Sequence, residues 1–130
     1  MSAVVVGYVP SPEGEAALEQ GIVEARLRGV RLLVVNNTRG DALVDDRFVQ
    51  GGPVEALQSR LAELDVATEL RQPNEGRDVA EELDLIAIEA DAELIVIGLR
   101  RRSPVGKLLL GSAASRILLT ATRPVLTVKP

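Results

Sequence analysis

The 130-residue chain has no cysteine, no histidine and no tryptophan, and its only aromatic side chains are Tyr8 and Phe48. Without cysteine there is no disulfide framework and no thiolate metal site. Without histidine the chain lacks the commonest general acid–base, the commonest metal ligand and any Ser-His-Asp triad. Two aromatic rings are too few for single-stranded nucleic-acid binding, which stacks bases on such rings. No apolar run approaches the roughly 20 residues that span a bilayer as a helix. The opening residues, MSAVVVGY, lack a basic start and a long apolar stretch, so no signal peptide is expected. The net charge of −4 speaks against a nucleic-acid partner. These absences lead to the expectation of a cytoplasmic protein that engages neither membrane nor nucleic acid.

Aliphatic residues are what the chain has in plenty. Apolar side chains make up 46% of it, almost all of them Val, Leu, Ile and Ala. Such a composition suits a parallel sheet covered on both faces, whose strands read as aliphatic runs. The length suits one domain, residues 1–130, with one sizeable core.

Val4 to Val9 reads as a buried first strand, ended by Pro10-Ser11-Pro12. Ser11 is placed to cap a helix with Pro12 at its first position, Glu13 and Glu15 in its first turn, and Gly29 at its end. Residues 31–36 form a second strand, and residues 37–53 a long loop. A helix from Val54 to Leu64 follows, then an edge strand from Val66 to Arg71 and a helix from Asp78 to Ala90. Leu94 to Gly98 is the most apolar strand and therefore central. A helix from Ser112 to Ala121 and a strand from Pro124 to Val128 complete the chain. Strict alternation of strand and helix means right-handed crossovers and a parallel sheet. Ligands of such sheets bind beyond the carboxyl ends of the strands, where the strand order reverses. The loops expected there follow the first strand (Val9-Pro10-Ser11) and the fourth (Gly98 to Gly111).

The second of these loops is unusual. Residues 98–112 read GLRRRSPVGKLLLGS, and beyond Glu93 the chain has no acidic residue but seven basic ones. The stretch is not a P-loop, since Gly106-Lys107 is followed by Leu108 and the first glycine position holds Arg101. No dinucleotide fingerprint follows the first strand either. What remains is a strand, a glycine, a cationic loop and a Gly-Ser pair opening a helix. Gly98 permits close approach of backbone to a ligand. Gly111 and Ser112 open a helix whose free N–H groups and partial positive charge favour an anion. Ser112 is read as a phosphate contact, a helix cap, or both. Glycines in these places also serve backbone geometry alone, and Lys107 reads first as a solvated cation. Asp41, Asp45 and Asp46 lie in a glycine-rich loop without further ligand spacing and read as solvated acids, not as a metal site.

The alternating layout and the fourth-strand loop resemble those of the universal stress protein family over nearly the whole chain. Nucleotide-binding members of that family carry G-x2-G-x9-G-[ST] after the fourth strand. Gly98 stands on the first position, Arg101 on the second, and Gly111-Ser112 on the closing pair. The stretch SPEGEAAL after the first strand and Arg123-Pro124-Val125-Leu126 before the last are also similar to the family pattern. The resemblance implies a three-layer, doubly wound α/β fold with a flavodoxin-like, five-stranded parallel sheet of order 3-2-1-4-5. It also implies a homodimer through the last strand, with Val125, Leu126 and Val128 at the interface, and ATP or a related adenine nucleotide lying across the first and fourth strands. By position Val9 and Asn37 would edge the adenine, while Gly98, Arg101, Gly111 and Ser112 would hold the phosphates. Any Mg²⁺ would arrive with the nucleotide.

Three positions depart from the family pattern. Val9 and Pro10 stand where the first strand ends in aspartate and glycine, and Arg101 replaces the second glycine of the loop motif. Arg101 is either a phosphate partner or a plug that fills the pocket. With no histidine and no carboxylate placed near the loop, the expected role is regulatory binding without dedicated catalysis, any hydrolysis being slow. The alternative is a dimeric interaction module of the same fold that binds no nucleotide.

Overall fold

The computed structural model describes residues 2–36, 52–73, 78–101, 108–109 and 111–130, with backbone alone at 52–54, 101, 108 and 109. Five strands form one parallel sheet: β1 (Ala3–Tyr8), β2 (Arg31–Asn36), β3 (Thr68–Arg71), β4 (Ala92–Gly98) and β7 (Val125–Val128). Two two-residue strands, β5 (Arg100–Arg101) and β6 (Leu108–Leu109), pair antiparallel just beyond β4. The helices are α1 (Pro12–Arg28), α2 (Gly52–Ala62), α3 (Val79–Glu89) and α4 (Ser112–Thr120). The order of the large sheet is β3-β2-β1-β4-β7, which is the expected 3-2-1-4-5 once the small hairpin is set aside.

The period of two along each strand divides the core between the faces of the sheet. Val4, Val6, Leu32, Val34 and Val96 pack beneath α1 and α2 with Leu18, Leu57 and Leu61. Val5, Leu33, Val35, Ile95 and Ile97 pack on the other face with Leu83 and Ile86 of α3 and Ile117 of α4. Each such fully buried aliphatic side chain contributes about 1.5–3 kcal/mol relative to exposure. Both clusters are aliphatic apart from Tyr8, in keeping with the composition.

Helix α1 begins and ends where its residues dictate. The Ser11 hydroxyl accepts the Gly14 N–H at 3.0 Å, Pro12 occupies the first turn, and Gly29 closes the helix in the left-handed region at φ 67°. Asp78 caps α3 by accepting the Ala80 N–H at 3.1 Å. Several boundaries differ from the expected ones: β1 runs Ala3–Tyr8 instead of Val4–Val9, and β4 starts at Ala92 instead of Leu94. Strand β3 starts at Thr68 instead of Val66, and Val66 and Leu70 both pack against the α1/α2 cluster. Helix α2 runs Gly52–Ala62 instead of Val54–Leu64. The β5/β6 hairpin lies inside what reads as a loop, and short pairings of this kind leave no periodicity in a sequence.

The two edges of the sheet differ in chemistry. At β3, Glu69 pairs with Arg31 at 3.2 Å and with Arg71 at 2.6 Å. Charged side chains of this kind blunt an edge against further strand pairing. At β7 the corresponding residues are Val125, Leu126, Thr127 and Val128, all half-buried.

Candidate functional site

Strand β1 pairs with β2 on one side and β4 on the other. The strand order therefore reverses there, and the crevice at their carboxyl ends is where an open α/β sheet receives a ligand. The first turn of α1 is pressed into this crevice. A Cβ added to Gly98 would lie 2.6 Å from the Glu13 carbonyl carbon and 2.9 Å from its Cβ. A Cβ at Gly14 would lie 2.8 Å from the Val9 carbonyl carbon. Both contacts are shorter than real side chains tolerate. Two glycines thus let the start of α1 close on the ends of β1 and β4. The approach for which Gly98 suggested a ligand is made, on its Cβ side, by the chain itself.

Glu13 is held in place by that packing. Its carboxylate lies 3.7 Å from the Arg100 Nε, and its side chain is only 17% exposed. A carboxylate therefore does stand beside the fourth-strand loop, contrary to the sequence reading. Its signal was present in the first turn of α1, but only the tertiary contact between α1 and β4 reveals its position.

Helix α4 opens on the far side of the crevice, and its start differs from those of α1 and α3. Gly111 is its N-cap, with extended backbone at φ −67° and ψ 166°, and no side chain caps it. Ser112 is the first helical residue and is exposed, so the capping role considered for Ser112 falls to Gly111. The first intrahelical bond runs from the Ser115 N–H to the Gly111 carbonyl at 3.0 Å. By helix geometry, the N–H groups of Ser112, Ala113 and Ala114 have no partner within the helix. Among the described residues, nothing lies within 4 Å along the Cβ direction of Gly111. One turn further along, Arg116 meets the capping carboxylate of Asp78 at 3.2 Å, which ties α4 to the start of α3.

At the other end of the crevice, Tyr8 and Asn36 face each other in register across β1 and β2. The Tyr8 hydroxyl donates to Glu15 Oε2 at 2.6 Å, and Arg60 of α2 holds the other oxygen of Glu15 at 2.7 Å. Arg60 keeps the Glu15 carboxyl below its usual range. Burial, helped by the bond to Glu15, pushes the Tyr8 phenol up to about 12. Tyr8 is the chain's single tyrosine and there is no tryptophan, so its ionisation can be followed cleanly by ultraviolet absorbance. The expected midpoint in the folded protein is near 12, against 10.0 for a free phenol. Because the folded value is the higher, this site's contribution to stability is complete below pH 10 and is lost between pH 10 and 12. A midpoint at the free value would mean that Tyr8 is neither buried nor bonded to Glu15 as described.

Asn36 is 5% exposed. Its Nδ2 donates to Gln72 Oε1 at 3.4 Å, while its Oδ1 is shielded from solvent with no partner among the described residues. A buried acceptor left unpaired is uncommon and calls for an explanation. Sequence reading named Asn37, which lies outside the described residues. Its neighbour Asn36 went unnamed because it reads as the last residue of a strand. Val9 sits half-buried at the end of the crevice. Arg101 is placed by its backbone in β5, its side chain lies outside the described residues, and the choice between partner and plug turns on that side chain. Lys107, Asp41, Asp45 and Asp46 also lie outside. Among the described residues, no group of three or more acidic, histidine or cysteine side chains is placed to hold a metal ion, and no helix is long and apolar enough to cross a membrane.

Comparison with known proteins agrees with this geometry. The family model described as "Universal stress protein family" matches residues 1–129. A universal stress protein of Mycolicibacterium smegmatis is 53% identical over 127 residues, covering 98% of this chain and 97% of that one. The structure of a universal stress protein from Archaeoglobus fulgidus superposes with a TM-score of 0.79 at 33% identity, over 99% of this chain and 98% of its own. A structure of the universal stress protein from the same organism in complex with dAMP gives a TM-score of 0.70 at 29% identity, with the same coverage.

Proposed function

Because the chain belongs to the universal stress protein family, we propose that it binds an adenine nucleotide across the carboxyl ends of β1 and β4 and acts through that binding instead of through dedicated catalysis. The observation that carries this reading is the start of α4. Among the described residues no side chain caps this helix N-terminus and nothing lies within 4 Å along the Cβ direction of Gly111, and the chain has no acidic residue after Glu93. Free N–H groups and the positive end of the helix dipole favour a phosphate there. The unpaired Oδ1 of Asn36 supports placing the nucleoside toward β2, since an amino or hydroxyl group of the ligand would satisfy it. The relative in complex with dAMP supports the ligand class.

ATP is one member of that class, and its Mg²⁺ would be carried by the phosphates with most of its waters retained. Catalysis lacks its usual means, since the chain has no histidine and Glu13 already faces Arg100. The expected place of work is the cytoplasm. Titration calorimetry with AMP, ADP and ATP tests the reading: saturable heat with any of them supports it, and none with all three opposes it.

The same family membership supports a homodimer through β7. That edge presents Val125, Leu126 and Val128, whereas the β3 edge is blunted by Glu69 and Arg71. Sedimentation equilibrium is expected to give twice the chain mass for the wild type and the single mass for Leu126→Asp. A wild type that sediments as a monomer at high concentration would contradict the dimer.

A further inference from the structure

We infer that Glu13 is a specificity-determining residue of this site, and that it favours adenine nucleotides with one phosphate over those with three. The inference rests on the nucleotide-binding reading above and goes on to ask how many phosphates the crevice accepts.

Three observations carry it. The first is position. Glu13 is the residue whose backbone fills the space beside Gly98, with its Cβ 2.9 Å from where a Gly98 Cβ would stand. A phosphate chain that runs from the start of α4 toward Gly98 therefore runs toward the Glu13 side chain. The second is immobility. The side chain is 17% exposed, and the backbone that carries it is wedged between the ends of β1 and β4, which limits how far the carboxylate can move. The third is the state of the nearest described cation. Arg100, which would otherwise meet a lengthening phosphate chain, has its Nε 3.7 Å from the Glu13 carboxylate.

The electrostatics follow. Among the described residues, the N–H groups of Ser112, Ala113 and Ala114 are the ones placed to serve one phosphate at the start of α4. Each further phosphate adds negative charge nearer a fixed carboxylate, in a partly buried place where water screens poorly. It also finds the Arg100 charge already shared. At the start of α1 the Ser11 hydroxyl and the Ser11 carbonyl already accept the Gly14 and Glu15 N–H groups.

The test compares AMP and ATP on the wild type and on Glu13→Gln, by titration calorimetry at fixed salt. Glutamine keeps the size and the backbone contact with Gly98 while removing the charge. The wild type is expected to bind AMP more tightly than ATP. Glu13→Gln is expected to raise ATP affinity about tenfold, or about 1.4 kcal/mol, and AMP affinity less than threefold. Arg100→Gln serves as the second variant and is expected to weaken ATP in the Glu13→Gln background more than in the wild type, because only there is the guanidinium free to meet it. Equal changes for AMP and ATP in Glu13→Gln, or a wild type that prefers ATP, would overturn the inference while leaving the nucleotide site intact. A wild type that binds neither nucleotide would overturn the binding reading and this inference with it.

Discussion

Gly98→Ala is expected to lower the stability of the protein by about 3 kcal/mol, seen as a fall in melting temperature of about 10 °C for a domain of this size. The cause lies in the joint between α1 and β4. The added methyl would lie 2.6 Å from the Glu13 carbonyl carbon and nearer still to its oxygen, and neither belongs to a flexible side chain. Relief requires the whole first turn of α1 to move. That turn is fixed by the Ser11 cap and by a second close contact, Gly14 on the Val9 carbonyl. Gly14→Ala is therefore expected to behave alike, and Gly111→Ala, with nothing within 4 Å, to be tolerated. Thermal unfolding of the three variants side by side checks this. A Gly98→Ala protein that melts within two degrees of the wild type, on the order of 0.5 kcal/mol, would mean that α1 does not close on β4 as described.

Gly111→Asp is expected to move stability and binding in opposite directions. The backbone at Gly111 is extended, not left-handed, so an aspartate fits without strain, and its side chain enters open space. As the N-cap of α4 it would accept N–H groups that now lack a partner within the helix, as Asp78 does for α3. Over glycine such a cap adds a few tenths of a kcal/mol, and its charge at the helix dipole adds about 0.3–1 kcal/mol more. The same carboxylate would stand where the phosphate is proposed to bind. Nucleotide affinity is expected to fall at least tenfold, about 1.4 kcal/mol or more, while the melting temperature holds or rises. A substitution that merely damaged the fold would lower both.

Much of this was legible in the sequence, for physical reasons that differ from residue to residue. The aliphatic runs at β1, β2 and β4 stand out because both faces of a parallel sheet must be buried. The start and stop of α1 could be read because Ser11, Pro12 and Gly29 act locally. The strand order came from resemblance to a family, since alternation alone leaves it open. What escaped depends on contacts between distant segments. Gly98 reads either as a ligand contact or as a glycine of backbone geometry alone, and nothing local says that Glu13 will arrive beside it. Ser112 reads as a phosphate contact, a helix cap or both, and only the turn shows that the N-cap is Gly111 with the serine one residue inside. Asn36 reads as the end of a strand, and only the burial of β2 makes its unpaired Oδ1 conspicuous. Arg100 and Leu109 are paired across residues whose pattern shows no strand.

The central claim is that a nucleotide phosphate is received by the bare N-terminus of α4. Its most direct measurement is titration calorimetry of AMP into the wild type and into Gly111→Asp under identical conditions. Saturable binding to the wild type, weakened at least tenfold in a variant that melts no lower, is the predicted result. Equal affinity in the two proteins would contradict it, because an acid at the N-cap of α4 cannot leave a phosphate there undisturbed.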